Sequence, residues 1–228
     1  LFVRALTLRP GHAEAHFNKG TMERADGKLE AALADFSLAI RAVPYHLGAL
    51  NNRSLVLQDM RRFEEALLDS DRLIGLMPND PTFQNNRGAL LHDMMRLNEA
   101  MACLDEAIRL KPEYVEALDN RGNLLTDMHK IDEALAKYDS AIAINPNYTR
   151  APFHKSTALL LKGDLATGWP LWEWRWRQPR VTSPVRDFEK PLWVGDTNIG
   201  GKTILLHSEQ GLGDSVQFVR YAPMVAKL

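Results

Sequence analysis

Prolines recur along this chain at one fixed interval. Five of them are spaced 34 residues apart without a slip, at Pro10, Pro44, Pro78, Pro112 and Pro146. Proline lacks a backbone donor and disfavours the α conformation of the residue before it, so it tends to end a helix. A helix stop repeated every 34 residues predicts a tandem array of short helical units, each of which needs its neighbours to bury its apolar face.

Small residues follow the same period. One row marks where the two helices of a unit approach closely, at Ala32, Ala66, Ala100 and Ala134. A second row is interrupted once by Leu73, and its other members are Ala5, Ala39, Ala107 and Ala141. A third row supplies the small residue inside the first helix, at Gly20, Ser54, Gly88 and Gly122.

The period and these small residues resemble the tetratricopeptide repeat, a helix-turn-helix unit of 34 residues. The resemblance covers residues 1–177 and implies a mostly α, superhelical solenoid. The predicted units are 13–46, 47–80, 81–114 and 115–148, with a partial unit at 1–12 and a divergent capping unit at 149–177. In this family the first helix of each unit lines a concave groove, so the resemblance implies a scaffold that binds an extended peptide or a partner protein there.

Two rows of polar residues are predicted on that groove. The sixth position of the units is Asn18, Asn52, Asn86 and Asn120, with His154 in the fifth unit. Seven residues later come Asp59, Asp93 and Asp127. Amides can donate to and accept from a peptide backbone whatever its sequence, and carboxylates favour basic or hydroxyl side chains. We therefore predict these seven Asn and Asp residues as peptide-binding residues.

The same rows resemble the asparagine and aspartate ladders of O-linked N-acetylglucosamine transferases. The alternative interpretation is that the asparagines bridge neighbouring helices and were copied by tandem duplication. Cations follow the sixth position of every unit, at Lys19, Arg53, Arg87, Arg121 and Lys155. They lie about 100° further round the helix, and we favour pairing with an aspartate or glutamate of the next helix over a role in the groove.

The repeat pattern ends in an aromatic segment. Trp169, Trp172 and Trp176 fall at i, i+3 and i+7, where they could seal the last apolar surface of the solenoid. Residues 178–201 contain three prolines and little periodicity, and we predict a linker. Residues 202–228 are predicted to form a strand, a glycine loop and a helix with Asp214 as its N-cap, the opening of a Rossmann-like α/β domain. Neither the phosphate-loop nor the dinucleotide glycine pattern is complete in this loop.

Residues 169–228 resemble bacterial tetratricopeptide proteins that carry a C-terminal domain similar to heptosyltransferases and O-linked N-acetylglucosamine transferases. The resemblance implies Glu209, Asp214 and Gln217 as candidate acceptor-side residues. It also implies an alternative function, the N-terminal, substrate-recognising part of a protein glycosyltransferase. Only the first strand and helix of that domain are present, so we expect the chain as given to be inactive. A sugar nucleotide would bind only with a downstream domain.

The composition of the chain argues against several other classes of protein. A formal net charge of −1 gives no general attraction to nucleic acid or to an anionic membrane. The one cysteine, Cys103, excludes an internal disulfide and a thiolate metal cluster and fits a reducing compartment. We expect a cytoplasmic protein with no metal and no cofactor. The chain begins without methionine in the middle of a repeat, which is typical of a fragment.

Overall fold

The computed structural model describes residues 11–178, and this part of the chain is helical without a β-strand. It contains ten α-helices followed by a short 3₁₀ helix. The helices are α1 (Ala13–Ala25), α2 (Leu29–Ala42), α3 (Leu47–Asp59), α4 (Phe63–Leu76), α5 (Pro81–Asp93), α6 (Leu97–Leu110), α7 (Val115–Asp127), α8 (Ile131–Ile144), α9 (Arg150–Lys162), α10 (Leu165–Trp172) and the 3₁₀ helix Glu173–Arg177. The prediction of a mostly α solenoid is confirmed.

The two helices of each unit are joined by a turn that contains one residue in the left-handed conformation. In the first turn Gly27 has φ 75°, and the N–H of Lys28 donates to the carbonyl of Glu23 at 2.8 Å. This bond uses a carbonyl that the helix end leaves without a partner. The left-handed residues are 34 apart, at Gly27, Arg61, Met95, His129 and Gly163.

The second helices end where the prolines predict. α2 ends at Ala42, two residues before Pro44, and α8 ends at Ile144, two residues before Pro146. The same two-residue gap separates the ends of α4 and α6 from their prolines. Proline therefore fixes the length of each second helix, and so the period of the stack.

The small residues mark close crossings of the two helices in a unit. A Cβ on Gly20 would lie 2.9 Å from the Phe36 ring, and one on Gly122 would lie 2.4 Å from the Tyr138 ring. In the second unit Ser54 replaces glycine, and its hydroxyl donates to the carbonyl of Ala66 at 3.0 Å. Where the position is glycine, a large side chain from the second helix fills the space, whereas Ser54 meets the hydroxyl of Ser70.

The first helices lie on the inside of the stack. Each of α1, α3, α5 and α7 contacts the first helix of the following unit, whereas among the described helices α2, α4, α6 and α8 make no comparable contact with one another. Closer spacing along one row of helices curves the stack toward that row. The first helices therefore line the inner face, and the core lies between the two rows.

The solenoid changes form in its fifth unit. Trp172 packs against Phe153 of α9 with ring centroids 5.2 Å apart, while Trp169 meets Trp172 edge-on and is 55% exposed. The predicted single face of three tryptophans does not form, because α10 ends at Trp172 and Trp176 lies in the 3₁₀ helix. The predicted strand, loop and helix of residues 202–228 lie outside the described residues, as does the linker from residue 179.

Candidate functional site

A continuous network of side-chain amides runs along the inner face. Asn86 donates through Nδ2 to Oδ1 of Asn51 at 2.9 Å, and Asn120 donates in the same way to Asn85 at 2.9 Å. The donor is in each case the sixth residue of a unit and the acceptor the fifth residue of the preceding unit. We call each such contact between neighbouring units a rung.

Bonds within each unit link the rungs. Asn85 donates to Oδ1 of Asn86 at 3.3 Å, and Asn51 donates to Oδ1 of Asn52 at 3.5 Å. Asn52 then donates to the hydroxyl of Thr21 in the first unit at 3.4 Å. We define the amide ladder as Asn51, Asn52, Asn85, Asn86 and Asn120. Its hydrogen bonds form one head-to-tail series across three units, in which every side chain donates in the direction of the first unit.

The ladder leaves hydrogen-bonding capacity for another partner. A side-chain amide has two N–H groups and an oxygen with two lone pairs. Within residues 11–178, Asn52 and Asn86 each use one N–H and accept one bond. Both are partly exposed, whereas Asn85 is buried. The sixth-position asparagines can therefore bridge units and bind a ligand at the same time.

The aspartates form a second row with the same offset. Asp93 accepts from Gln58 of the preceding unit at 2.6 Å, and Asp127 lies 2.7 Å from Nε2 of His92. Asp59 pairs with Arg24 at 3.5 Å. These three aspartates are exposed. Each places one carboxylate oxygen on the neighbouring unit.

The last rung has a different chemistry. Asp119 occupies the fifth position of its unit, and its side chain is fully buried. Nδ1 of His154 lies 2.7 Å from Oδ1 of Asp119, the Tyr148 hydroxyl donates to Oδ2 at 3.2 Å, and Nε of Arg150 lies 3.5 Å away. Burial raises the pKa of Tyr148, and the carboxylate adds to the effect, so the hydroxyl keeps its proton and donates.

A carboxylate is also buried in the first unit. Asp35 is bound by His16, whose Nδ1 lies 2.6 Å away, and by the ammonium of Lys19. Burial alone would raise the pKa of Asp35, but the hydrogen bonds from Lys19 and His16 outweigh it and lower the pKa below its ordinary value. Hydrogen bonding to Asp35 raises the pKa of Lys19 in turn.

The cations after the sixth position pair away from the ladder, but only two of the five pair with the next helix, as predicted, whereas the other three pair with the preceding helix. Arg53 makes two bonds of 2.7 Å to Asp69 of its own unit. Arg121 reaches back to Asp105 of the preceding unit at 2.6 Å. All five of these cations bind an aspartate of a second helix, the remaining pairs being Lys19 with Asp35, Arg87 with Asp71 and Lys155 with Asp139. They attach the two helix rows to each other.

The predicted site residues occupy different parts of the molecule. Asn52, Asn86 and Asn120 lie in one network, and Asp59, Asp93 and Asp127 lie two turns further along the same helices. Asn18 stands at the start of the row, in the first unit that the structure describes, and Glu209, Asp214 and Gln217 lie outside the described residues. The sequence prediction missed the fifth-position residues, which have the same 34-residue signal: Asn51, Asn85 and Asp119.

No group of three or more histidine, cysteine, aspartate or glutamate side chains in residues 11–178 could hold a metal ion. Over the same residues, no helix is long and apolar enough to cross a membrane. What the described inner face offers is hydrogen-bond donors, acceptors and carboxylates, a set of groups suited to noncovalent recognition of a polar chain.

Family models described as tetratricopeptide repeat match residues 1–46, 81–114 and 115–148. Together with the helix pairs of the structure, these matches show that the chain contains tetratricopeptide repeats. A curated relative, protein FlbA of Caulobacter vibrioides, is 31% identical over 75 residues, which are 33% of this chain and 12% of FlbA. The chain therefore matches only a small part of that relative's length.

Solved structures share the fold at low sequence identity. TTC0263, a tetratricopeptide protein of Thermus thermophilus, has a TM-score of 0.67 at 19% identity, covering 75% of this chain and 93% of TTC0263. PilW, a type IV pilus biogenesis factor, has a TM-score of 0.65 at 19% identity, covering 71% and 75%. YrrB, a tetratricopeptide protein described as having an unusual peptide-binding site, has a TM-score of 0.54 at 18% identity, covering 79% and 93%.

Proposed function

We propose that this protein is an interaction scaffold that binds an extended segment of a partner protein along its inner face. The observation that carries the proposal is the amide ladder: its sixth-position asparagines use at most half of their bonding capacity within the described residues, and they remain partly exposed. Asn18, Asn52, Asn86 and Asn120 would hold the backbone of the bound segment. The fold neighbour YrrB, described as having a peptide-binding site, supports the same interpretation.

The aspartates would set the side-chain preference of the site. Asp59, Asp93 and Asp127 are exposed and follow the same helices as the asparagines. Among the described residues, Arg24 pairs with Asp59 and His92 pairs with Asp127. A bound segment with lysine, arginine, serine or threonine would complement these carboxylates, whereas an acidic one would be repelled.

The test uses a fluorescein-labelled peptide of alternating lysine and serine, with binding measured by fluorescence anisotropy. Asn86→Ala should weaken binding about fivefold and the double variant Asn86→Ala/Asn120→Ala about 25-fold, because each lost neutral hydrogen bond contributes about 1 kcal/mol. Asp93→Asn should weaken binding of this peptide but not binding of a counterpart with glutamine in place of lysine.

Two controls separate binding from stability. Asn98→Ala removes an exposed asparagine from α6, outside the ladder, and should leave affinity unchanged. Asn85→Ala breaks a rung at a buried position that cannot reach a ligand. If Asn85→Ala weakens binding as much as Asn86→Ala, or if Asn86→Ala has no effect, the asparagines only bridge the units and the proposed contact to the peptide backbone is wrong.

A second candidate is the substrate-recognising arm of a protein glycosyltransferase. It is favoured by the sequence of residues 169–228, with Glu209, Asp214 and Gln217 as candidate acceptor-side residues. In that case the inner face would present an acceptor protein to a site that includes a downstream domain. Incubation of the chain alone with labelled sugar nucleotides should give no transfer, whereas a longer protein with a complete donor-binding domain should glycosylate its bound partner. Failure of the longer protein to do so would leave the scaffold function alone.

A further inference from the structure

A second groove lies between the first two units, away from the amide ladder. It has a volume of about 430 Å³ and is bordered by α2, α3 and α4. Leu33, Leu57 and Leu68 supply apolar surface, and Arg62 and Arg72 lie among its charged groups. None of the ladder asparagines contributes to this groove, so it is independent of the proposed peptide-binding face.

Leu68 is larger than the residues at the same position of the other units. The equivalent residues of the other units are small and exposed: Ala34, Ala102 and Ala136. Leu68 is 66% exposed. A large apolar side chain at an outward position gains nothing for packing within its own unit. Because it borders a groove that is also lined by Leu33 and Leu57, it adds exposed apolar surface to that groove.

Arg72 lines this groove, and its positive charge is not balanced by a carboxylate of the described residues. Asp69 binds Arg53, and Glu65 binds Arg62, each through two bonds of 2.7 Å. Arg72 donates to the carbonyl of Pro44 at 2.8 Å, and no carboxylate of the described residues pairs with it. A guanidinium has five N–H groups, so several remain available for an acceptor.

Among the described units, only the second has an arginine at the position of Arg72. The later units place Glu106 and Ser140 at the position of Arg72. Conversely, Ser37 borders the first groove where later units have aspartates, at Asp71, Asp105 and Asp139. Compared with the groove of the next two units, the changes at Leu68, Arg72 and Ser37 outweigh the carboxylate of Asp69, which replaces Cys103, and make the first groove more apolar and less acidic.

We propose that this groove is a second docking site, which takes an acidic peptide segment of a partner protein that carries a leucine-sized side chain next to a glutamate or aspartate. The apolar side chain packs against Leu68 and Leu33, and the carboxylate accepts from the free N–H groups of Arg72. Charge complementarity selects the ligand, since a basic segment would meet an unbalanced guanidinium. The two faces of the solenoid would then recognise partners of opposite charge.

The experiment uses a fluorescein-labelled peptide of alternating leucine and glutamate and the same peptide with glutamine in place of glutamate. Binding to the whole chain is measured by anisotropy, and the site is located by amide chemical-shift changes. The test variants are Leu68→Ala and Arg72→Glu. Both introduce the residue that the next unit carries at that position, so the repeat is known to accept them. Arg109→Glu makes the same change of charge on α6, and Asn98→Ala removes an exposed asparagine that lies in neither site; both serve as controls.

We expect the acidic peptide to bind with shifts centred on residues 62–72, and the glutamine peptide to bind at least about tenfold more weakly. Leu68→Ala and Arg72→Glu should each weaken binding of the acidic peptide about tenfold or more, while both controls should bind it with unchanged affinity. An absence of binding by the unmodified protein would overturn the proposal. Affinity that survives Leu68→Ala and Arg72→Glu, or falls equally in Arg109→Glu, would do so too.

Discussion

The interfaces between the middle units of the solenoid and the interface with its last unit solve the same geometric problem with different chemistry. Between the middle units the rungs are neutral amides, in which one asparagine donates to another at 2.9 Å. At the last of these interfaces a buried carboxylate takes over, with Asp119 bound by His154 of the next unit. The fold tolerates either pair because the fifth position of one unit meets the sixth position of the next at each of these interfaces.

The turns show a related division. The first and last turns use glycine at the left-handed position, at Gly27 and Gly163, whereas the three middle turns use Arg61, Met95 and His129. A side chain in this conformation is strained, because its Cβ approaches the backbone. The backbone geometry of the turn is thus set by the stack and is adopted even by residues that disfavour it.

The largest effect is expected from Asp119→Ala, which removes the buried carboxylate of the last rung. It leaves His154, Tyr148 and Arg150 without their shared acceptor, and we expect a loss of about 3 kcal/mol. Because a solenoid opens unit by unit, the loss should appear as faster amide hydrogen exchange in α9 and α10. Asn85→Ala, at the equivalent position of the preceding unit, should cost only about 1 kcal/mol. Equal losses in the two variants would contradict the distinction between charged and neutral rungs.

The double variant Asp119→Asn/His154→Asn should recover most of that stability. It rebuilds the last rung as the asparagine pair found between the middle units. We expect its stability to lie within about 1 kcal/mol of that of the original protein, as measured by the same hydrogen exchange. A double variant as unstable as Asp119→Ala would mean that the last interface requires the carboxylate itself.

A smaller effect is expected at low pH in the first unit. The pKa of Asp35 is lower in the folded protein than its ordinary value, so its ionised form stabilises the fold above about pH 4. This contribution is lost as the pH falls below about 4 toward the folded pKa. Lys19 is one-third exposed and therefore screened by water, so the loss should be smaller than that of Asp119→Ala.

Hydrogen exchange of α1 and α2 between about pH 5 and about pH 2 measures this effect. Asp35→Asn should be less stable at neutral pH and should lack the acid-dependent part of the loss. A pH dependence of α1 and α2 that is unchanged in Asp35→Asn would assign the effect to another group.

The smallest expected effect is a gain from His129→Gly. Glycine relieves the left-handed strain of about 1 kcal/mol but adds freedom to the unfolded chain, so we expect a net gain of about 0.5 kcal/mol, measured by thermal unfolding. The matched variant Gly163→Ala places a side chain at the equivalent turn and should lose about 1 kcal/mol. A loss in His129→Gly would show that the His129 side chain contributes packing that outweighs the strain.

Much of the architecture could be predicted from periodicity alone. The prolines predicted where the second helices end, and the small residues predicted the crossings at Gly20 and Gly122. The pairing of Lys19 and Arg53 with carboxylates of the next helix was also predicted, whereas the equivalent cations of the later units pair with the preceding helix. The features that were predicted correctly act within one unit.

The candidate site was only half predicted. The sixth-position asparagines were found, but their partners Asn51 and Asn85 were not, although both recur with the same period. A rung joins residues 35 positions apart, and that offset depends on how far one unit is shifted along the next. Asp119 was missed for the same reason, because its neighbours come from outside its own helix.

By itself, the sequence determined the repeat, its length and its helix boundaries, since backbone restrictions at proline and steric restrictions at small residues act within a unit. The tertiary structure alone decided which side chains of neighbouring units meet, and so that Asn86 reaches Asn51, that Asp119 is buried, and that Arg72 borders a groove without a carboxylate partner among the described residues. These contacts depend on the curvature and offset of the stack, which arise from packing between units rather than from any residue taken singly.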